Sequence, residues 1–129
     1  MFTFLKMQVT RFEFDFPEKD WERLEGNCNV SVGIGIPEKQ PDAPVKCKIE
    51  VMFKSRNKEE FLLNVVAIYY FKSDVPCSND SEFFNSIDVE CVPIALDKLE
   101  KLISDSTEQF CGIPIALPLQ REKHNRKGN

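Results

Sequence analysis

Histidine is almost missing from this chain: its one copy, His124, sits in the charged C-terminal stretch, beyond any element the pattern predicts to pack. Ser-His-Asp and Cys-His sites need an imidazole held against the nucleophile, and nothing supports folding that stretch back, so enzymatic catalysis is not expected. Close cysteine pairs are missing as well. Cys28, Cys47, Cys77, Cys91 and Cys111 stand far apart, without the paired spacing of zinc sites and redox motifs. They read as small buried apolar residues, Cys47 most clearly, since it falls on the apolar side of an alternating stretch. Neither a metal nor a cofactor is expected. Gly33-Ile34-Gly35 lacks the third glycine and the following helix of a phosphate loop. Asp15, Glu18, Asp20, Glu22 and Glu25 lack calcium-loop spacing and are interrupted by basic residues.

No apolar run approaches the roughly twenty residues that cross a bilayer, so no membrane insertion is expected. Met1 to Lys6 lack the basic start, apolar core and cleavage site of a secretion signal, and a cytoplasmic location is the expectation. Glycosylation of the sequons at Asn29 and Asn79 is then not expected. Positive charge is not in excess either. The formal charge of −4 disfavours nucleic acid, whose capture depends on Lys and Arg neutralising phosphates. The exception is the run Arg121 to Lys127, read with its neighbours as a basic flexible tail over 120–129.

What the chain does have is apolar patterning. With 42% hydrophobic and 29% charged residues in 129, it fits one globular domain, taken as residues 1–119. Four stretches alternate apolar and polar residues, as half-buried strands do: Lys6 to Phe16, Asn29 to Ile36, Val45 to Lys54 and Phe61 to Phe71. In the first, the break between Val9 and Phe12 predicts a bulge. The connection Pro17 to Asn27, with the single Trp21, is long for a hairpin and predicts a crossover. The prolines at 37, 41 and 44 predict an exposed loop between the second and third strands, and the polar run Ser55 to Glu60 predicts a hairpin between the third and fourth. The fourth strand is apolar on both faces, which places it inside the sheet with something covering its second face.

Asn79-Asp80-Ser81-Glu82 suggests a cap for a short helix carrying Phe83, Phe84 and Ile87. The main helix is expected from Pro93, with Ala95, Leu99, Leu102, Ile103 and Phe110 at helical spacing and Gly112 just past its end. Ile113 to Leu119 is too rich in proline for a helix and apolar enough to pack. The expected fold is α+β: a four-stranded antiparallel Greek-key sheet, order 2-3-4-1, packed on one face by a main C-terminal helix. Eleven Phe residues exceed what a two-layer core of this size readily hides, so some apolar side chains are expected to face a partner.

Asn64-Val65-Val66-Ala67-Ile68-Tyr69-Tyr70-Phe71 resembles the last strand of the SecB-like family, the protein-export chaperones and their relatives. Pro93 to Ile103 is similar to that family's helix, and Gly112-Ile113-Pro114-Ile115-Ala116-Leu117-Pro118 to its proline-spaced ending. The likeness spans roughly Phe4 to Leu119 and includes the crossover between the first two strands. The chain departs from the export chaperones at Pro93-Ile94-Ala95-Leu96-Asp97, where they carry a Pro-Tyr-Ala-Arg-Glu type of sequence, and in its basic tail. Both departures bear on translocase docking.

The resemblance implies a non-enzymatic, homo-oligomeric chaperone, a dimer or tetramer, that binds unfolded or nascent polypeptide in apolar grooves. Phe14, Phe16, Trp21, Leu24, Ile68 and Tyr70 are the residues expected to line them. Three alternatives stay open: a chaperone dedicated to one partner, such as the antitoxin of a toxin pair, a structural interaction module, and a small-ligand binder on a hot-dog or cystatin-like sheet.

Overall fold

The computed structural model describes residues 1–15, 26–37, 39–40, 42–55, 61–112 and 114–119. Four strands, β1 (Phe2–Phe14), β2 (Gly26–Gly35), β3 (Val45–Ser55) and β4 (Phe61–Ser73), precede one helix, α1 (Ser81–Cys111). All neighbours in the sheet are antiparallel and the order is β1-β4-β3-β2, the arrangement that the two apolar faces of β4 predict. β1 and β2 stand at opposite edges, so their connection is no hairpin.

Alternation assigns one face of the sheet to the core. Val45, Cys47, Ile49, Val51 and Phe53 of β3 stand directly opposite Phe71, Tyr69, Ala67, Val65 and Leu63 of β4, and all are buried. Val30 and Val32 of β2 extend this layer. Directly opposed side chains of an antiparallel pair share a face and pack on each other.

β1 is longer at its start than the alternation predicts, beginning at Phe2 and not near Lys6. Leu5 is the reason: it is an extra residue in the ladder, between the pairs Phe4↔Phe71 and Lys6↔Tyr70, and it breaks the period. A second shift, between Val9 and Arg11, is the bulge expected before Phe12. Each bulge reverses which parity faces the core. Phe2 and Phe4 face the helix, then Met7 and Val9, then Phe12 and Phe14.

The helix also differs from expectation. The short helix near Asp80 and the main helix from Pro93 are one element of 31 residues, with Pro93 inside it. An internal proline removes a backbone hydrogen bond and crowds the preceding turn, which is why the pattern favours a start there. The continuous buried stripe outweighs that cost: Phe83, Ile87 and Cys91 before the proline and Ala95, Leu99 and Ile103 after it recur every fourth residue, and all are buried.

Asp80 caps the helix, its Oδ1 accepting the Phe83 N–H at 2.7 Å, while the Ser78 hydroxyl donates to Oδ2 at 2.7 Å. The Phe83 N–H, chiefly, holds the Asp80 carboxyl below its ordinary range. A carboxylate whose folded pKa is depressed stabilises the fold above its unfolded pKa and loses that contribution as pH falls through the folded value. The gap in Tm between the wild type and Asp80→Ala should therefore be constant near neutrality and narrow below about pH 4. A gap independent of pH would show that the cap works without its charge.

At the other end Gly112 takes a left-handed conformation, φ 78°, and its N–H donates to the Glu108 carbonyl at 2.8 Å. Thr107 is buried. Its Oγ1 donates to the Ile103 carbonyl at 2.8 Å and accepts the Ile115 N–H, also at 2.8 Å. This bond turns the proline-spaced segment back onto the helix, where Leu117 and Leu119 enter the core.

One core polar atom has no such partner. The Tyr69 hydroxyl is buried and makes no hydrogen bond among the described residues. A buried hydroxyl without a partner carries its desolvation cost uncompensated, so Tyr69→Phe should leave stability unchanged or raise it by up to about 1 kcal/mol. Urea denaturation checks this, and a loss of more than about 1 kcal/mol would show that the hydroxyl is bonded.

Candidate polypeptide-binding surface

The helix covers the two ends of β1 and leaves its middle open. At one end Phe2 packs on Phe83, ring centroids 5.8 Å apart. Further along, the Lys98 ammonium lies 4.4 Å above the Phe4 ring. At the far end Phe12 and Phe14 meet Phe110 edge to face at 6.0 and 5.6 Å. Between these anchors Met7 and Val9 face the helix side, yet each is 38% exposed. The bulged Leu5 is 49% exposed and Phe110, despite its two ring contacts, 61%. Ile94, one helical turn before Lys98, is also exposed. The result is an apolar strip along an edge strand whose outer backbone groups pair with no strand among the described residues.

The second face of the sheet is different. Val66, Ile68 and Tyr70 of β4 lie there half-buried, with no further layer over them among the described residues, contrary to the cover that the apolar pattern predicts. Long polar side chains shade them instead. Lys6 of β1 and Lys46 of β3 flank Tyr70 in the ladder, their ammonium groups 4.9 and 5.6 Å from its ring centre. The Tyr70 hydroxyl donates to Gln8 Oε1 at 3.0 Å.

The residues expected to form one groove therefore do not all meet. Phe14 is on the helix side at the β1 edge, opposite Leu63, whereas Ile68 and Tyr70 project from the reverse face. Ladder register sets this separation: Leu63, opposite Phe14, is buried on the core face of β4, and Ile68 and Tyr70 belong to the alternate set of the same strand. Phe16, Trp21 and Leu24 lie outside the described residues, as does the 120–129 tail.

Comparison of the sequence with known protein families and with curated proteins finds no match. Solved structures do match. A SecB-like chaperone of Mycobacterium tuberculosis, solved with a ChAD peptide from the HigA1 antitoxin, superposes with a TM-score of 0.65 over 92% of this chain and 86% of its own, at 10% identity. A Streptococcus agalactiae protein of unknown function matches with a TM-score of 0.52 over 91% of this chain and 96% of its own, at 14% identity. The chain has the fold of a SecB-like chaperone.

Within this SecB-like fold Cys47 and Cys91 are buried, unreactive thiols. Burial pushes Cys47 and Cys91 up to about 12 each, far from the thiolate that nucleophiles and metal ligands require. Cys28 and Cys77 are half-buried. No group of three or more His, Cys, Asp or Glu suited to a metal gathers among the described residues, and no helix there is long and apolar enough to cross a membrane.

The strip residues Met7, Val9 and Phe110 are not among the candidates that the sequence singles out. Their signal is faint. Val9 and Phe110 match core periodicities, and only the path of the helix over the sheet decides that they stay uncovered.

Proposed function

We propose that this protein is a non-enzymatic chaperone that holds extended segments of unfolded or nascent polypeptide along the β1 edge. The observation that carries this reading is the pair of exposed apolar side chains Met7 and Val9 on the helix side of β1, bordered by Phe12, Phe14 and Phe110. A client strand laid beside β1 would bond its backbone to the open edge and press apolar side chains on the strip. Main-chain pairing and apolar contact are both indifferent to sequence, which suits a protein that must accept many clients. The shared fold with a SecB-like chaperone supports the reading. Assembly into a dimer or tetramer, a cytoplasmic location and a role in protein export belong to the same proposal.

A narrower version is a chaperone dedicated to one partner. It is favoured by the solved neighbour of this fold, which holds a peptide from an antitoxin.

The test is light scattering of a reduced, unfolding client titrated with the protein, read with sedimentation of any complex. The wild type should suppress aggregation at near-stoichiometric ratios. Met7→Asp with Val9→Asp should need at least tenfold more protein, since each buried side chain contributes about 1 kcal/mol or more and about 1.4 kcal/mol is a factor of ten. Both sites are exposed, so circular dichroism and Tm should barely move. No suppression for several unrelated clients would remove the general reading and leave the dedicated one.

A further inference from the structure

The reverse face of the sheet carries an excess of positive charge, and this sets it apart from the helix side. Lys6, Arg11, Lys46, Lys48, Lys54 and Lys72 project from it, all exposed. Among the described residues of the four strands, two carboxylates join them, Glu13 and Glu50. Each sits beside a cation of its own strand, Glu13 at 3.5 Å from Arg11 and Glu50 at 3.6 Å from Lys48. This excess of cations belongs to a chain whose net charge is −4. Helix α1, on the other side, has seven acids and two lysines. The fold thus sorts charge: basic on the bare sheet face, acidic on the helix.

The excess is concentrated at Tyr70. Lys6, Tyr70 and Lys46 form one row across β1, β4 and β3, and two strand spacings put the lysine backbones only about 10 Å apart. Both ammonium groups lean over the same ring. Two cations held beside one ring attract its π face and repel each other, and a carboxylate placed between them would relieve that repulsion. Ile68 lies beside Tyr70 on the same face, with Lys48 next to it, and Lys72 follows at the end of β4.

We infer that this face docks an extended acidic polypeptide segment of a partner protein, its carboxylates bound by Lys6, Lys46, Lys48 and Lys72 and its backbone laid over Ile68 and Tyr70. The surface is the reverse of the β1 strip, so one molecule would hold an apolar client on one side and an acidic partner on the other. Single-stranded nucleic acid fits the face less well. Base stacking needs open aromatic surfaces, and the Tyr70 ring at the centre of this face is flanked by two lysines, with its hydroxyl bonded to Gln8.

Fluorescence anisotropy of a labelled oligoglutamate peptide of about twelve residues, long enough to span the sheet, tests the inference. The expected result is binding that falls at least tenfold for Lys6→Glu with Lys46→Glu, falls as well for Lys72→Glu alone, and is unchanged for Lys101→Glu on the helix. Raising salt from about 50 to 200 mM should weaken it. Suppression of client aggregation should persist in the Lys6→Glu, Lys46→Glu variant, which separates this surface from the β1 strip. No oligoglutamate binding, or equal binding by the sheet-face variants, overturns the inference. Tighter binding of oligothymidylate than of oligoglutamate would overturn it in favour of nucleic acid. Self-association that the same variants abolish, without peptide binding, would overturn it in favour of a second copy docking through its acidic helix.

Discussion

Ile49→Ala is expected to lower the unfolding free energy by about 2–5 kcal/mol, a large share of the 5–15 kcal/mol typical of a domain. Ile49 is fully buried in the middle of β3, between Val32 of β2 and Ala67 of β4. Both neighbours are small, so the isoleucine fills the space between sheet and helix, and its removal leaves a cavity that rigid strands cannot close. The adjacent Lys48 is the internal control. It lies one residue away on the reverse face and is exposed, so Lys48→Ala should change stability by less than about 0.5 kcal/mol. Urea denaturation of both variants reads the contrast, with an unchanged m-value showing that the folded state keeps its extent. A cost below about 1 kcal/mol for Ile49→Ala would mean that the helix does not press on the centre of the sheet.

Gly26→Ala is the second substitution with a large expected effect, for a steric reason. A Cβ at Gly26 would overlap the Lys54 carbonyl oxygen and stand 2.9 Å from the Phe53 ring. The first obstacle is backbone and cannot rotate away. The end of the β2–β3 ladder, where Gly26 faces Ser55, must open, at a cost of about 1–3 kcal/mol. Gly33 provides the comparison, because its Cβ would meet nothing nearer than 4.0 Å. Gly33→Ala should be tolerated, and only Gly26→Ala should speed amide exchange at the start of β2. Equal exchange in the two variants would refute the steric account.

Particular residues show how far the sequence could be read. β4 announces its internal position because Leu63, Val65, Ala67, Tyr69 and Phe71 are apolar and so are Val66, Ile68 and Tyr70 between them. The bulge between Val9 and Phe12 and the stop at Gly112 are local events with local signals. The first twelve residues of α1 were harder to join to the rest, since Pro93 is locally a starting residue and only the burial of Phe83, Ile87 and Cys91 carries the helix through it. The bulge at Leu5 leaves no mark in composition, so the start of β1 and the facing of Met7 were hidden with it.

The candidate surface was legible only in kind. An excess of phenylalanine foretells exposed apolar area, and Phe14 does lie on the edge that carries it. It does not foretell which side chains remain bare. That depends on where a helix of about 46 Å crosses a twisted sheet, and this one meets β1 at Phe2, Phe4, Phe12 and Phe14 while leaving Met7 and Val9 in the open.

By itself the sequence determined the strands, their order and the helix that covers one face, because periodicity and turn residues act over a few neighbouring positions. Only the tertiary structure decided that α1 is continuous, that Phe14 and Tyr70 lie on opposite faces, and that Lys6, Lys46 and Tyr70 share one row. Those outcomes depend on ladder register and on packing between residues far apart in the chain, where a single bulge exchanges one face for the other.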